Sequence, residues 1–321
     1  MIKVGIAGGA GYTAGELIRI LLGHPQAELV WILSGSHAHE PVHKVHRDLL
    51  GDTDLVFVEK PDFSAVDVVF FCMGHGKSAA FLEGHSIPDR VKIIDLSHDY
   101  RLKAEGNDFV YGLPEMSREA IQEATHVANP GCFATAIQLA LLPLADAGLL
   151  TEVHIHAITG STGAGQAPSG TTHFSWRNNN ISVYKAFGHQ HLQEIGQSLK
   201  ALMPAFDAAV NFVPLRGDFA RGILASVYLD CDLSQEEACR LFDRYYETAV
   251  FTSRFEENID LKQVVNTNKC LLHVAKYDGK LHVTSVIDNL TKGASGQAIH
   301  NMNLMFGIAE KTGLYLKPSA F

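Results

Sequence analysis

The sequence predicts a two-domain α/β protein: a parallel sheet with crossover helices, then an α+β domain on a mainly antiparallel sheet. Three observations predict it. Short apolar runs alternate with helically spaced segments over about the first 130 residues. A Gly-rich turn joins the first of those runs to the first helical segment. After about residue 150 the hydrophobic pattern switches to period two. The 321 residues also match about two domains of ~150 residues each.

Strands are predicted at Lys3–Ala7, Glu28–Leu33, Asp67–Cys72 and Lys92–Asp95, each a β-branched or aromatic run bounded by polar residues or Gly. Between the first two, Ala14, Leu17, Ile18, Leu21 and Leu22 share one face of a helix over Thr13–Leu22. In the second half, Val153–Ile158 and Ala225–Asp230 alternate. Leu271–Tyr277 and Lys280–Ile287 flank Asp278-Gly279, a type I′ hairpin signal. Helices are predicted at His191–Leu202, Ser234–Thr248 and Gln297–Lys311. The boundary falls at Asn129-Pro130-Gly131, giving domains 1–130 and 131–295, with a C-terminal helix within 296–321 returning to the first.

Composition excludes several classes. Apolar residues are 46% and charged residues 19%, an ordinary globular balance. A net charge of −9 repels polyanions, so no nucleic-acid partner is expected and an anionic ligand must be held by local Arg or backbone N–H groups. No apolar stretch reaches the ~18 residues of a spanning helix, so no membrane partner is expected. Met1–Gly8 reads as a buried strand and turn, not a signal peptide. Five Cys, without a C-x-x-C pair, point to free thiols and a reducing cytoplasm.

Gly8–Gly15 follows a strand and opens a helix, where backbone N–H groups approach a pyrophosphate at a positive helix end. The second strand ends in Leu33-Ser34-Gly35-Ser36-His37, without the acid that binds the ribose hydroxyls of NAD. Ser34 and Ser36 therefore favour NADP, with His37 or Lys44 supplying positive charge. Asn129-Pro130-Gly131-Cys132 precedes a helical run, placing Cys132 at a helix N-terminus that favours the nucleophilic thiolate. A small buried hydrophobe is the competing reading of Cys132, and it fits Cys72, Cys231 and Cys239 better. Among 17 His, His189-Gln190-His191 stands where a loop meets an amphipathic helix, the setting of a proton donor; no third ligand at a metal-site spacing accompanies the pair.

These residues resemble a known family, the N-acetyl-γ-glutamyl-phosphate reductases of arginine biosynthesis. The likeness runs through Gly8–Gly15, Phe70–Gly76, Ile94–Leu102, Tyr111–Glu115, Asn129–Cys132, Gly160–Gly165, His189–His191 with Glu194-Ile195, Arg221–Ile223 and Asp288–Ala294. The aspartate-semialdehyde dehydrogenases share the general plan. The resemblance implies a Rossmann domain, a glyceraldehyde-phosphate-dehydrogenase-like catalytic domain and NADP(H). It implies Cys132 as the acyl-accepting nucleophile and His189 or His191 as the acid–base group. Cofactor contacts are expected at Gly8, Gly11, Tyr12, Thr13, Ala14, Ser34, Ser36, Gly74, His75, Gly76, Asn289 and Gly293, and substrate contacts at Arg101, Asn129, Tyr184 and Arg221. The family often carries Arg where Gln190 stands and Pro where Gly74 stands.

The implied reaction is reduction of N-acetyl-γ-glutamyl phosphate to the semialdehyde through a Cys132 thioester, with succinyl as the alternative acyl group. A homodimer or homotetramer is expected. Two rivals remain: a Cys–His hydrolase or transferase, which would not need NADPH, and a non-catalytic NADP sensor, which would not need Cys132.

Overall fold

A computed structural model describes residues 1–74 and 76–319. The chain divides into two compact units, one of Met1–Pro130 with Ala294–Tyr315 and one comprising Gly131–Gly293 and the residues from Leu316.

The first unit carries six strands: β1 (Ile2–Ala7), β2 (Ala27–Leu33), β3 (Val68–Phe71), β4 (Lys92–Asp95), β5 (Val110–Tyr111) and β6 (His126–Ala128). They order as β2-β1-β3-β4-β6-β5, all parallel. Helices α1 (Tyr12–Leu22), α2 (Lys77–Glu83) and α3 (Pro114–Glu123) connect them. β1 and β3 are apolar on both faces, as buried parallel strands are, and Val4, Ile6, Val68 and Phe70 are fully buried. The reversal of strand order around β1 is the topological switch of an open α/β sheet.

The second unit opens with α4 (Cys132–Asp146), apolar all round and buried from Phe133 to Ala145. Its sheet contains β7 (Val153–Thr159), β8 (Ser182–Val183), β9 (Val210–Arg216), β10 (Ile223–Asp230), β11 (Thr252–Phe255), β12 (Cys270–Tyr277) and β13 (Lys280–Ile287). The order is β11-β12-β13-β10-β7-β9-β8. β11 runs parallel to β12 and β9 parallel to β7, so the sheet is mixed, with the predicted antiparallel pairing confined to β12-β13-β10-β7 and β9-β8. Helices α5 (Phe174–Arg177), α6 (His191–Leu202) and α7 (Gln235–Tyr245) complete it, and α4 packs against α6, α7, β10 and β13.

A π-helical turn, Thr291–Ser295, leads into α8 (Gly296–Met305). This helix is shorter than the predicted Gln297–Lys311: Gly307, at φ +64, turns the chain, and Ile308 N–H bonds back to the Asn303 carbonyl. α8 is buried along its whole length and packs on α1, α3 and β4. Its polar residues serve the backbone: Gln297 and Asn301 both donate to the Gly112 carbonyl.

Candidate active site

In the first unit, Gly8 sits at φ +87, and a Cβ there would lie 2.9 Å from the Cys72 carbonyl, so only Gly fits. The Gly8 and Gly9 N–H groups donate to the Leu33 carbonyl at 3.1 and 2.8 Å, tying the turn to the end of β2. The carboxyl ends of β1, β2 and β3 thus enclose a cleft of about 370 Å³, lined in part by Gly8, Gly11, Ser34, Ser36, Gly74 and Lys77. α1 begins there without a side-chain cap or an acidic residue in its first turn, leaving its N-terminal N–H groups for an anion. Tyr12, Thr13 and Ala14 make up that first turn. Ala14 is core, and Thr13 hydrogen-bonds Cys72 through its side chain and accepts from Ser295 at its carbonyl. Thr13 and Ala14 therefore present their backbone to the start of α1, where backbone N–H contacts were expected. A positive charge besides the expected His37 and Lys44 is placed at the cleft. His37 pairs with Glu40 at 3.4 Å and Lys44 does not line the cleft, whereas Lys77, the first residue of α2, does. The Gly76 N–H donates to the Asp99 carboxylate at 2.7 Å, fixing the turn before α2. His75 lies outside the described residues.

In the second unit, Cys132 is the first residue of α4, half-buried, with Gly131 as an N-cap that offers no side chain. A Cβ on Gly131 would lie 2.4 Å from His191 Nε2 and 2.6 Å from Glu194 Oε1. The Gly131 N–H donates to Glu194 Oε2 at 3.0 Å, and His191 Nε2 lies 3.8 Å from Glu194 Oε1. One turn of α6 therefore clamps the start of α4. Gly293 backs the nucleophile, since a Cβ on it would be 2.8 Å from the Cys132 Cβ.

His189 packs edge-on to Phe133, Phe212 and Tyr184, with ring centroids 5.5, 5.5 and 5.8 Å away. Its Nδ1 accepts from the His191 N–H at 3.2 Å, which places the proton of the neutral ring on Nε2. Burial, with the charges of Lys185 and Arg216, pushes the His189 pKa down to about 4. Burial and the Cys132 charge push the Tyr184 phenol up to about 12 against the pull of Arg216. Tyr184 thus stays a neutral phenol within reach of the field of Cys132.

Two family models match the chain: "Semialdehyde dehydrogenase, NAD binding domain" over residues 3–124 and "Semialdehyde dehydrogenase, dimerisation domain" over 132–289. Proteins named N-acetyl-gamma-glutamyl-phosphate reductase from Parabacteroides distasonis and Bacteroides thetaiotaomicron are each 58% identical over 322 residues, covering 100% of both chains. One of the same name from Flavobacterium johnsoniae is 54% identical over 326 residues, again over 100% of both. The chain belongs to the N-acetyl-γ-glutamyl-phosphate reductase family. Its fold is that of more distant dehydrogenases. Aspartate semialdehyde dehydrogenase II of Vibrio cholerae superposes with a TM-score of 0.74 at 18% identity, covering 96% of this chain and 98% of that one. A probable aspartate-semialdehyde dehydrogenase of Pseudomonas aeruginosa gives 0.73 at 17% identity, covering 95% and 98%.

Four residues expected to touch ligands also make hydrogen bonds within the fold. Arg101 is buried, donating through Nε to the Asn129 carbonyl at 2.8 Å and through a terminal nitrogen to the Leu96 carbonyl at 3.0 Å. It thereby ties two backbone segments of the first unit together. The Asn129 amide donates to the Ala294 carbonyl and accepts from Asn301, both at 3.1 Å. Arg221 forms a two-pronged pair with the buried Asp288 at 3.0 and 3.1 Å. Asn289 accepts from the Gly222 N–H at 2.7 Å and donates to Thr162 at 3.0 Å, so its amide braces a loop where a cofactor contact was expected. Sequence reasoning missed Lys77 and Arg216, and gave Glu194 no role. Only Glu194 left a signal, through its i,i+3 spacing from His191 on α6.

Proposed function

We propose that this chain carries out NADPH-dependent reduction of N-acetyl-γ-glutamyl phosphate to N-acetylglutamate semialdehyde with release of phosphate, through a thioester on Cys132. The observation that carries this reading is Cys132 at the uncapped start of α4, in a unit that also gathers His189 and Tyr184. In the first unit, the uncapped start of α1, the Ser34 and Ser36 hydroxyls, Lys77 and the lack of any carboxylate among the residues lining the cleft fit a phosphorylated dinucleotide. NADPH, when bound, supplies the hydride.

The Cys132 thiolate attacks the γ-acyl carbon; the C–S bond forms and the C–O bond to phosphate breaks, releasing phosphate. N–H groups of the first turn of α4 hold the carbonyl oxygen as it gains charge, a contribution of about 3 kcal/mol per donor in comparable sites. After reduction the tetrahedral oxyanion accepts a hydrogen bond from His189, neutral at pH 7 and presenting Nε2–H, and its electron pair then re-forms the C=O bond. As the C–S bond breaks, the thiolate leaves and the aldehyde is freed. His191 and Glu194 hold the nucleophile's turn and take no proton from substrate.

The test is the reverse reaction with purified protein, NADP, phosphate and N-acetylglutamate semialdehyde. NADPH should appear only when phosphate and the aldehyde are both present. No NADPH with all three would overturn the reading. We further propose a homodimer or homotetramer working in the cytoplasm. A dimerisation-domain match over residues 132–289 supports the first, and no helix of the described residues is long and apolar enough to cross a membrane. Light scattering reporting a monomer would remove the first.

A further inference from the structure

The substrate of the proposed reaction carries a carboxylate and an acyl phosphate, yet Arg101 and Arg221 are engaged within the fold and position 190 holds the uncharged Gln. Arg216 fills that gap. It ends β9, with its guanidinium carbon 4.5 Å over the Tyr184 ring and a hydrogen bond to the phenol. Its Nε is buried without a hydrogen-bond partner, a costly state for a donor of this kind. Among the described residues no carboxylate pairs with it; the nearest acid in sequence, Asp218, accepts from the Asn179 N–H at 2.6 Å. The neighbouring Arg177 differs, for its guanidinium is committed to the carbonyls of Thr171, Asn180 and Arg216 and to the Ser182 hydroxyl. A second cation, Lys185, is exposed, and its ammonium donates to the Gln190 side-chain oxygen at 3.0 Å. Both cations act on His189.

Resting on the reductase reading, we propose that Arg216, assisted by Lys185, binds an oxyanion of the substrate beside His189. A guanidinium matches the two oxygens of a carboxylate or phosphate, and a lysine ammonium adds a point charge. The site has a second effect. The groups facing His189 are Phe133, Phe212, Tyr184, His191, Lys185 and Arg216. An anion on Arg216 offsets the positive charge that opposes protonation of the ring. Substrate therefore strengthens the proton donor it is about to need, and an empty site keeps His189 neutral.

The experiment is steady-state kinetics of the reverse reaction for Arg216→Met, Arg216→Lys and Lys185→Met, varying the aldehyde and phosphate separately. Arg216→Met should raise KM about ten- to a hundredfold for one of the two. A rise for the aldehyde assigns the carboxylate, and a rise for phosphate assigns the phosphoryl group. Arg216→Lys should restore part of the loss, and Lys185→Met should shift the same KM less. NADPH affinity, read by fluorescence, should match wild type in all three, which excludes misfolding as the cause. Unchanged KM for both reactants in Arg216→Met would overturn the proposal. Wild-type protein lacking phosphate-dependent NADPH formation would instead overturn the reductase reading itself. As a second readout, the His189 imidazole NMR signals should titrate at higher pH with N-acetylglutamate bound than without; coincident titrations would refute the coupling.

Discussion

Cys132 and Cys72 show how position gives one side chain two chemistries. Cys132 opens a helix; Cys72 follows β3, where desolvation and the Asp95 charge push its thiol well above the usual range. Cys132→Ser should abolish reduction while leaving NADPH affinity within about twofold; turnover within tenfold of wild type would remove Cys132 from the chemistry. The sequence suggested a purely structural Cys72, but the residue lines the dinucleotide cleft. His189→Asn should lower kcat by ~10²–10⁴ with little change in KM. Equal losses in kcat and in binding would argue instead for collapse of the aromatic cluster around it. Lys77 should read the 2′-phosphate: Lys77→Ala should weaken NADPH about tenfold, one charge-assisted contact, and leave NADH unchanged. Calorimetry finding equal losses for both dinucleotides would place that contact elsewhere.

At the scale of elements, the start of α4 depends on α6. Glu194 accepts the Gly131 N–H in a buried setting, so Glu194→Ala strands that donor and should cost about 1–3 kcal/mol, read from urea denaturation. A change below half a kilocalorie would mean that another group takes the N–H over. The dependence also marks the limit of sequence reading. Strands β1, β2, β3, β4, β7, β10, β12 and β13 were legible because hydrophobic period and turn chemistry are local signals. β9 was not, since Pro214 interrupts a segment whose strand pairing is with β7 and β8. Cys132, His189 and the Gly8 turn were identifiable as candidates from the same kind of local signal. Arg216 was not, because its role comes from Tyr184, brought alongside by the β8–β9 pairing 32 residues away in the chain. The bond from Arg101 to the Asn129 carbonyl was not legible either, because it joins residues 28 apart that only the fold brings together.

For the whole molecule, buried histidines set the acid response. Burial lowers the pKa values of His24, His189 and His282 from 6.5, that of His189 to about 4. Between those values the unfolded chain binds protons that the native one does not. Stability rises with pH across this window, is fully present above 6.5, and is lost as pH falls towards 4. The urea midpoint should therefore be lower at pH 5 than at pH 7, and His189→Asn should shrink the difference. A midpoint independent of pH in this range would show that opposing carboxylates cancel the histidines.

The return of α8 to the first unit has a consequence for biosynthesis. A ribosome emits the chain from its amino end, yet the helix covering α1, α3 and β4 is encoded near the other end. For more than half of translation the nascent amino-terminal sheet lacks its cover, exposing apolar side chains of the kind that chaperones engage. Residues Gly131–Gly293, by contrast, leave the exit tunnel as one uninterrupted stretch. Stalled chains ending at Gly293 should bind a hydrophobic dye and be cut by protease within residues 1–130, and chains extended through Tyr315 should lose both properties.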